Sequence, residues 1–264
     1  MAKKRTCRGC GNEMDGTASR EHILPQWLHP HIEIQGVSIK HRAVSEQRAT
    51  LLRSHDLNNF TVKSICAKCN NGWMSRLEAD VKPMLLSLID GKCSAASLSV
   101  NDATLLARWA FKTSFMLLPG QKTNPVPWSL FEKWASAGAG GPDPAIIFAL
   151  SNLQSARGFG YVMESDDLAD SVTHPVNLRI SICIGSLLLV ILLPLDNNRR
   201  IPGIGHPLYR LLWPLDAKLI YIPTEINLIP DSTYGEFIKY LAGFVHAGVP
   251  SVGGSLTSDS VNKI

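Results

Sequence analysis

Two Cys-x-x-Cys pairs, Cys7-Arg-Gly-Cys10 and Cys66-Ala-Lys-Cys69, constrain this chain more than any other feature of it. Each pair offers two thiolates to a tetrahedral ion and leaves two positions to fill, so the two pairs complete one site. That site closes a loop made of residues 11–65. In a reducing compartment, paired cysteines of this spacing point to metal rather than to disulfides. Zn2+ is the expected ion, and its role is structural, because four thiolates leave no open position for water or substrate. Cys93 and Cys183 have no such partner in sequence and read as ordinary buried thiols.

The rest of the composition is that of a globular chain, 45% hydrophobic and 18% charged. Its net charge of +4 is unevenly placed. Residues 1–80 carry 12 Lys+Arg against 8 Asp+Glu, whereas the remainder has 14 of each. A basic surplus confined to the cysteine-bearing part is compatible with a polyanionic partner, or with nothing more than a solvated face. The start of the chain is charged with no apolar core behind it, unlike a secretory signal. The most apolar run, Ile180 to Leu195, is shorter than the roughly 20 residues a membrane helix needs, and Gly185-Ser186 interrupts it. These features predict a cytoplasmic chain with no membrane partner.

Along the chain, Gly9 and Gly11 suit a tight knuckle whose amides point at sulfur. Ser19 to Leu28 follows, with Pro25 breaking the extended stretch before it. Residues 29–60 have no strong period; Val37 to Ile39 reads as a short strand, and His29, His31, His41 and His55 as surface or packing residues. Thr61 to Ile65 alternates like a strand. From Asn70 the spacing of Trp73, Leu77 and Val81 predicts a helix that Pro83 ends or kinks. Ser99 and Asp102 form a capping box ahead of Leu105, Leu106, Trp109, Thr113 and Met116 on a second helix. A third helix fits Trp128 to Ala137. Strands are expected at Ile146 to Leu150, Phe159 to Met163, Val176 to Ile184, Leu187 to Leu193, Tyr209 to Trp213 and Leu219 to Ile222. Gly185-Ser186 reads as a hairpin turn. A last helix spans Tyr234 to His246.

What a zinc clip alone leaves unexplained is the polar content beside each pair. Glu21-His22-Ile-Leu-Pro25 follows the first, and Asn70 follows the second at once. The order Cys7-x-x-Cys10, Glu21-His22-x-x-Pro25, Cys66-x-x-Cys69-Asn70 resembles the HNH endonuclease family in its zinc-stapled form. The resemblance covers residues 5–82 and nothing beyond. It implies a treble-clef-like ββα-metal module. In that module His22 is the general base that takes a proton from water. Glu21 and Asn70, with Asn71 as a lesser rival, hold one catalytic divalent cation, Mg2+ or Mn2+. Oxygen ligands suit such a hard ion, and histidine titrates close enough to neutral pH for proton transfer. Arg20, Lys63, Lys68 and Arg76 are candidate phosphate contacts. The sequence departs from the family at two places: Glu21 stands where Asp is more usual, and Thr61 stands where a middle Asn orients the histidine. Asn58 and Asn59 lie a little earlier.

The expected fold is therefore α+β. Residues 1–90 form the zinc-stapled module, residues 95–249 a mixed helix and antiparallel-sheet domain of unassigned role, and residues 250–264 a disordered tail. Self-association through the second domain is compatible with this division. The expected function is metal-dependent hydrolysis of phosphodiester bonds in nucleic acid, with DNA the expected partner. The alternative is a non-catalytic, zinc-stapled module that binds nucleic acid or protein.

Overall fold

Leu187-Leu-Leu-Val-Ile-Leu-Leu193 is apolar at every position, so neither of its faces can meet water; such a strand belongs inside a covered sheet. A computed structural model of the chain describes residues 5–14, 18–31, 38–45, 48–56, 59–118, 128–143, 145–151, 159–165, 178–193, 209–213 and 251–256. In it, all seven side chains of Leu187–Leu193 are buried.

Ten strands are present among the described residues: β1 (Ser19–His22), β2 (Ser38–Ser45), β3 (Arg48–Asp56), β4 (Thr61–Ile65), β5 (Ile146–Ser151), β6 (Phe159–Ser165), β7 (Leu178–Ile184), β8 (Leu187–Leu193), β9 (Tyr209–Trp213) and β10 (Ser251–Leu256). β1 and β4 pair by themselves. The other eight form one sheet in the order β3-β2-β10-β6-β7-β8-β5-β9. Every strand pairing is antiparallel. The turn between β7 and β8 uses Gly185 at φ +52°, a left-handed angle glycine adopts without a Cβ clash.

The helices are α1 (Ala67–Cys69), α2 (Ser75–Ile89), α3 (Val100–Leu117) and α4 (Trp128–Ser136). Asn70–Met74 makes a widened turn between α1 and α2, with Gly72 at non-helical φ −95° and ψ −110°. The helix expected to start at Asn70 is thus bent there. It also runs through Pro83 to Ile89 instead of stopping, held by the burial of Leu85, Leu88 and Ile89. Ser99 caps α3 as its sequence requires: Ser99 Oγ accepts from Asp102 N at 3.1 Å and donates to Asp102 Oδ2 at 2.7 Å. Past its first two turns, the single apolar face expected of this helix gives way to burial all round; Ala103, Leu106, Ala107 and every residue from Trp109 to Leu117 are buried. It lies between α2 and strands β5, β8 and β9.

Three expectations about organisation change. A single buried cluster runs from Cys7 through α2 and α3 to Leu212, so the boundary near 90–95 does not divide two cores. Residues 38–56, read as mostly loop, supply two strands of the large sheet. Ser251–Leu256, expected in the disordered tail, is a strand hydrogen-bonded between β2 and β6. Its register comes from partners distant in sequence, which a Ser/Gly-rich composition does not reveal. The strand expected at 219–222, the helix at 234–246 and the end of the tail, 257–264, lie outside the described residues, as does Asn58. No helix among the described residues is long and apolar enough to cross a membrane.

Candidate functional site

The first knuckle folds on itself. Gly11 N donates to Cys7 O and Cys7 N to Asn12 O, both at 2.8 Å, with Gly11 at φ +72°. A bridge joins Thr6 to Glu13, and Arg8 N donates to Ser64 O at 2.8 Å, fastening the knuckle to the end of β4. Cys66 then caps α1: its extended backbone turns the chain, and its Sγ accepts from Cys69 N at 3.4 Å. Cys7 Sγ accepts from Gly9 N at 3.3 Å and from Cys66 N at 3.2 Å.

The four sulfurs of Cys7, Cys10, Cys66 and Cys69 lie within 4.8 Å of one another. Cys10 Sγ and Cys66 Sγ are 3.9 Å apart. A tetrahedral zinc with bonds of about 2.3 Å puts its sulfurs about 3.8 Å apart, so this donor set fits the ion. Amides aimed at sulfur stabilise thiolate charge in such sites. Burial pushes the Cys7 and Cys69 thiols up. At Cys66 burial also works upward, but the Cys69 amide and neighbouring thiols outweigh it and hold that thiol low. Gly9 sits close: a Cβ there would lie 3.3 Å from Cys69 Sγ.

β1 and β4 carry the expected chemistry. Glu21 pairs with Val62, His22 with Thr61 and Ser19 with Ile65. The extra residue on β4 falls at Lys63-Ser64, so Val62 and Ile65 both face inward although three positions apart. Adjacent residues of β1 project to opposite faces. Exposure follows that rule: Arg20 is exposed, Glu21 is buried and His22 is half-buried. His22 thus shares the outer face with Arg20, while Thr61 and Lys63 occupy the matching face of β4. Gln26 Nε2 stands 3.4 Å from His22 Nε2, and the His29 ring meets the His22 ring edge-on at 6.5 Å between centroids. Thr61 is the β4 residue registered directly opposite His22.

The inner face differs from expectation. Glu21 is 4% exposed, and its Oε1 lies 2.6 Å from Nζ of Lys112, which is wholly buried. The same Nζ lies 2.6 Å from Glu78 Oε1. Lys112 Nζ donates to Glu78 Oε1, and Glu21 Oε1 is ion-paired to the same nitrogen. Asn70 Nδ2 donates to Ser19 Oγ at 3.1 Å, and Ser19 Oγ donates to Ile65 O at 2.9 Å. Asn70 therefore joins the hairpin at Ser19 rather than at Glu21, and Asn71 is exposed. The expected use of Glu21 and Asn70 as ligands of one hard cation does not fit this arrangement. The Lys112 ammonium already occupies the point on which the Glu21 and Glu78 carboxylates converge, so an ion taking Glu21 as a ligand would have to displace that ammonium or lie against it.

Lys112 and Glu78 are the site residues that sequence reasoning missed. The signal was present. Lys112 opens the polar break Lys112-Thr-Ser114 in the otherwise apolar run from Trp109 to Leu118, which places a charge on a core-facing helix, and such charges are buried only when paired. Arg20, Lys63, Lys68 and Arg76 are all exposed. Cys183 is buried, with its thiol pushed up to about 12 by loss of solvent, whereas Cys93 is only half-buried, not the buried thiol expected.

Helices beyond the cysteine region pack against Trp73 and reach Arg8 of the first knuckle. The Trp73 ring meets Trp134 edge-on at 5.4 Å, and Phe111 meets Trp134 at 4.9 Å. Arg8 lies 5.4 Å over the Trp128 ring and 3.7 Å from Glu132 Oε1, linking the first knuckle to α4. No family model, curated protein or solved structure matches the chain.

Proposed function

We propose that residues 5–82 form a treble-clef module of the HNH type that hydrolyses phosphodiester bonds in nucleic acid, with His22 as general base. The observation that carries this reading is the placement of His22. It stands on the open face of β1, beside Arg20 and opposite Thr61 and Lys63, on a hairpin fastened to the four-cysteine cluster. A half-buried imidazole on a braced strand is positioned to accept a proton from water, and exposed cations on the same face suit phosphate oxygens. Zn2+ at Cys7, Cys10, Cys66 and Cys69 would hold the hairpin against α1 without touching substrate. DNA is the expected substrate, and no step is assigned to a second metal.

The test is cleavage of plasmid DNA and of RNA by the zinc-loaded full chain, with and without Mg2+ or Mn2+, beside a His22→Ala variant of unchanged zinc content. Loss of a general base slows cleavage by about 10²- to 10⁴-fold. Equal inertness of both proteins on every substrate sinks the hydrolase reading.

A second reading is favoured by the Lys112–Glu21 ion pair, which engages the carboxylate that the family resemblance assigns to catalysis. Under it, the module binds nucleic acid or protein without cutting. Binding by wild type and His22→Ala alike, with no cleavage by either, selects this reading.

A further inference from the structure

We propose that the Glu21–Glu78 carboxylate pair is a built cation site whose occupant is the chain's own Lys112 ammonium, and that this occupancy excludes divalent ions. Three observations support it. Both carboxylate oxygens lie 2.6 Å from one nitrogen, so they converge on a single point. Lys112 is wholly buried and Glu21 nearly so, which makes the arrangement an interior one and not a chance surface contact. The three residues come from β1, α2 and α3, so the fold itself assembles the point.

Calcium binds oxygen at about 2.3–2.6 Å and magnesium at about 2.0–2.1 Å, so two carboxylate oxygens each 2.6 Å from one point stand at the long end for calcium and would have to close in on a smaller ion. The ammonium is tethered through a buried stem on α3, and an incoming ion would have to displace it or share the cleft with it. Sharing places like charges in contact where water cannot screen them. Displacement buries nothing new and leaves an ammonium stranded in an apolar interior. Glu78 keeps 20% of its side-chain surface in solvent, so access does not set the exclusion; charge does.

The prediction concerns binding and holds whether or not the chain cuts nucleic acid. The experiment uses the zinc-loaded full chain and Mn2+ as probe, followed by the electron paramagnetic resonance signal of the free ion. Lys112→Met removes the nitrogen while keeping a stem of similar length. The variant is expected to bind Mn2+ at least about tenfold more tightly than the wild type, since affinity in such sites follows ligand charge. Adding Glu21→Gln to that variant is expected to abolish the gain. Wild type and its own Glu21→Gln variant should take up Mn2+ alike. Mn2+ uptake by wild type that disappears on Glu21→Gln overturns the proposal, as does a folded Lys112→Met protein with no gain. If Lys112→Met fails to fold with or without Mn2+, the comparison of wild type with Glu21→Gln decides: equal uptake supports the exclusion, and Glu21-dependent uptake overturns it.

Discussion

Lys112 Nζ lies 2.6 Å from Glu21 Oε1, with 0% of one side chain and 5% of the other exposed. That pair joins the strand bearing His22 to a helix that begins only at Val100. Glu78 completes the arrangement from α2. The module read from the sequence as self-contained is therefore pinned from outside its own boundary. Its inner face is held by an ion network, and its outer face carries exposed Arg20 and Lys63 beside half-buried His22.

Removing the ammonium should be severe. Breaking a buried pair leaves uncompensated charge, at a cost of about 3–5 kcal/mol. Its pH dependence has a definite sign. Burial raises the Glu21 carboxyl above its ordinary value, even against the pull of Lys112. Burial works against the Lys112 charge, but Glu21 and Glu78 outweigh it and hold that group above the ordinary lysine range. A raised folded-state value means the Lys112 contribution is intact at neutral pH and lost only in strong alkali. In Lys112→Met the two carboxylates face each other, and proton uptake by Glu21 relieves them. The stability gap between variant and wild type should thus narrow as pH falls from about 8 to about 5, in denaturant titrations at each pH. A gap that widens toward acid contradicts the assignment.

Zinc loss should reach beyond the cysteine region. Metal binding energy is folding energy in sites of this kind. Because Cys7 and Cys69 belong to the same buried cluster as α2, α3 and the large sheet, Cys66→Ser should lower the stability of the whole chain. Elemental analysis together with circular dichroism melting checks this. A variant that loses zinc yet melts at the wild-type temperature denies the stapling role.

Gly185→Ala tests the seam between sheet and helix. Gly185 has φ +52°, and a Cβ there would stand 2.7 Å from both Ile89 O and Ile89 Cγ2. Ser186 N donates to the same Ile89 O at 3.0 Å, so the turn cannot simply lift away. Strain of this kind costs about 1–3 kcal/mol, readable as a shift in the urea midpoint. An unchanged midpoint would mean the turn and the end of α2 are not packed as described.

Charge reversal at the outer face separates the surface from the core. Arg20→Glu with Lys63→Glu should weaken nucleic-acid binding and flatten its salt dependence, each lost phosphate contact lowering the slope by about 0.9 for duplex DNA. Both positions are exposed, so melting temperature should hardly move. Unaltered binding at low salt would place the nucleic-acid surface elsewhere.

Much of the local structure was legible from spacing. The cysteine pairs, the Ser99 cap, the apolar run of β8 and its Gly185 turn, and the helix carrying Phe131 and Trp134 all follow from rules acting over a few residues. The misses share a cause. β2 and β3 have weak alternation, and β10 has the composition of a tail; each is a strand because a partner far along the chain offers hydrogen bonds. Pro83 suggested a stop or a kink, and tertiary burial of Leu85, Leu88 and Ile89 accompanies a helix that does not stop there.

The candidate site divides in the same way. The sequence by itself pointed to the convergence of four thiolates, because two short pairs together supply the four donors of one tetrahedral ion. It also determined that Glu21 and His22 would be neighbours on an extended segment. Only the tertiary structure decided which of them faces solvent. The pleat sends adjacent side chains to opposite sides, and α2 and α3 cover one of those sides. Glu21 was thereby enclosed with Lys112, and His22 was left at the open face.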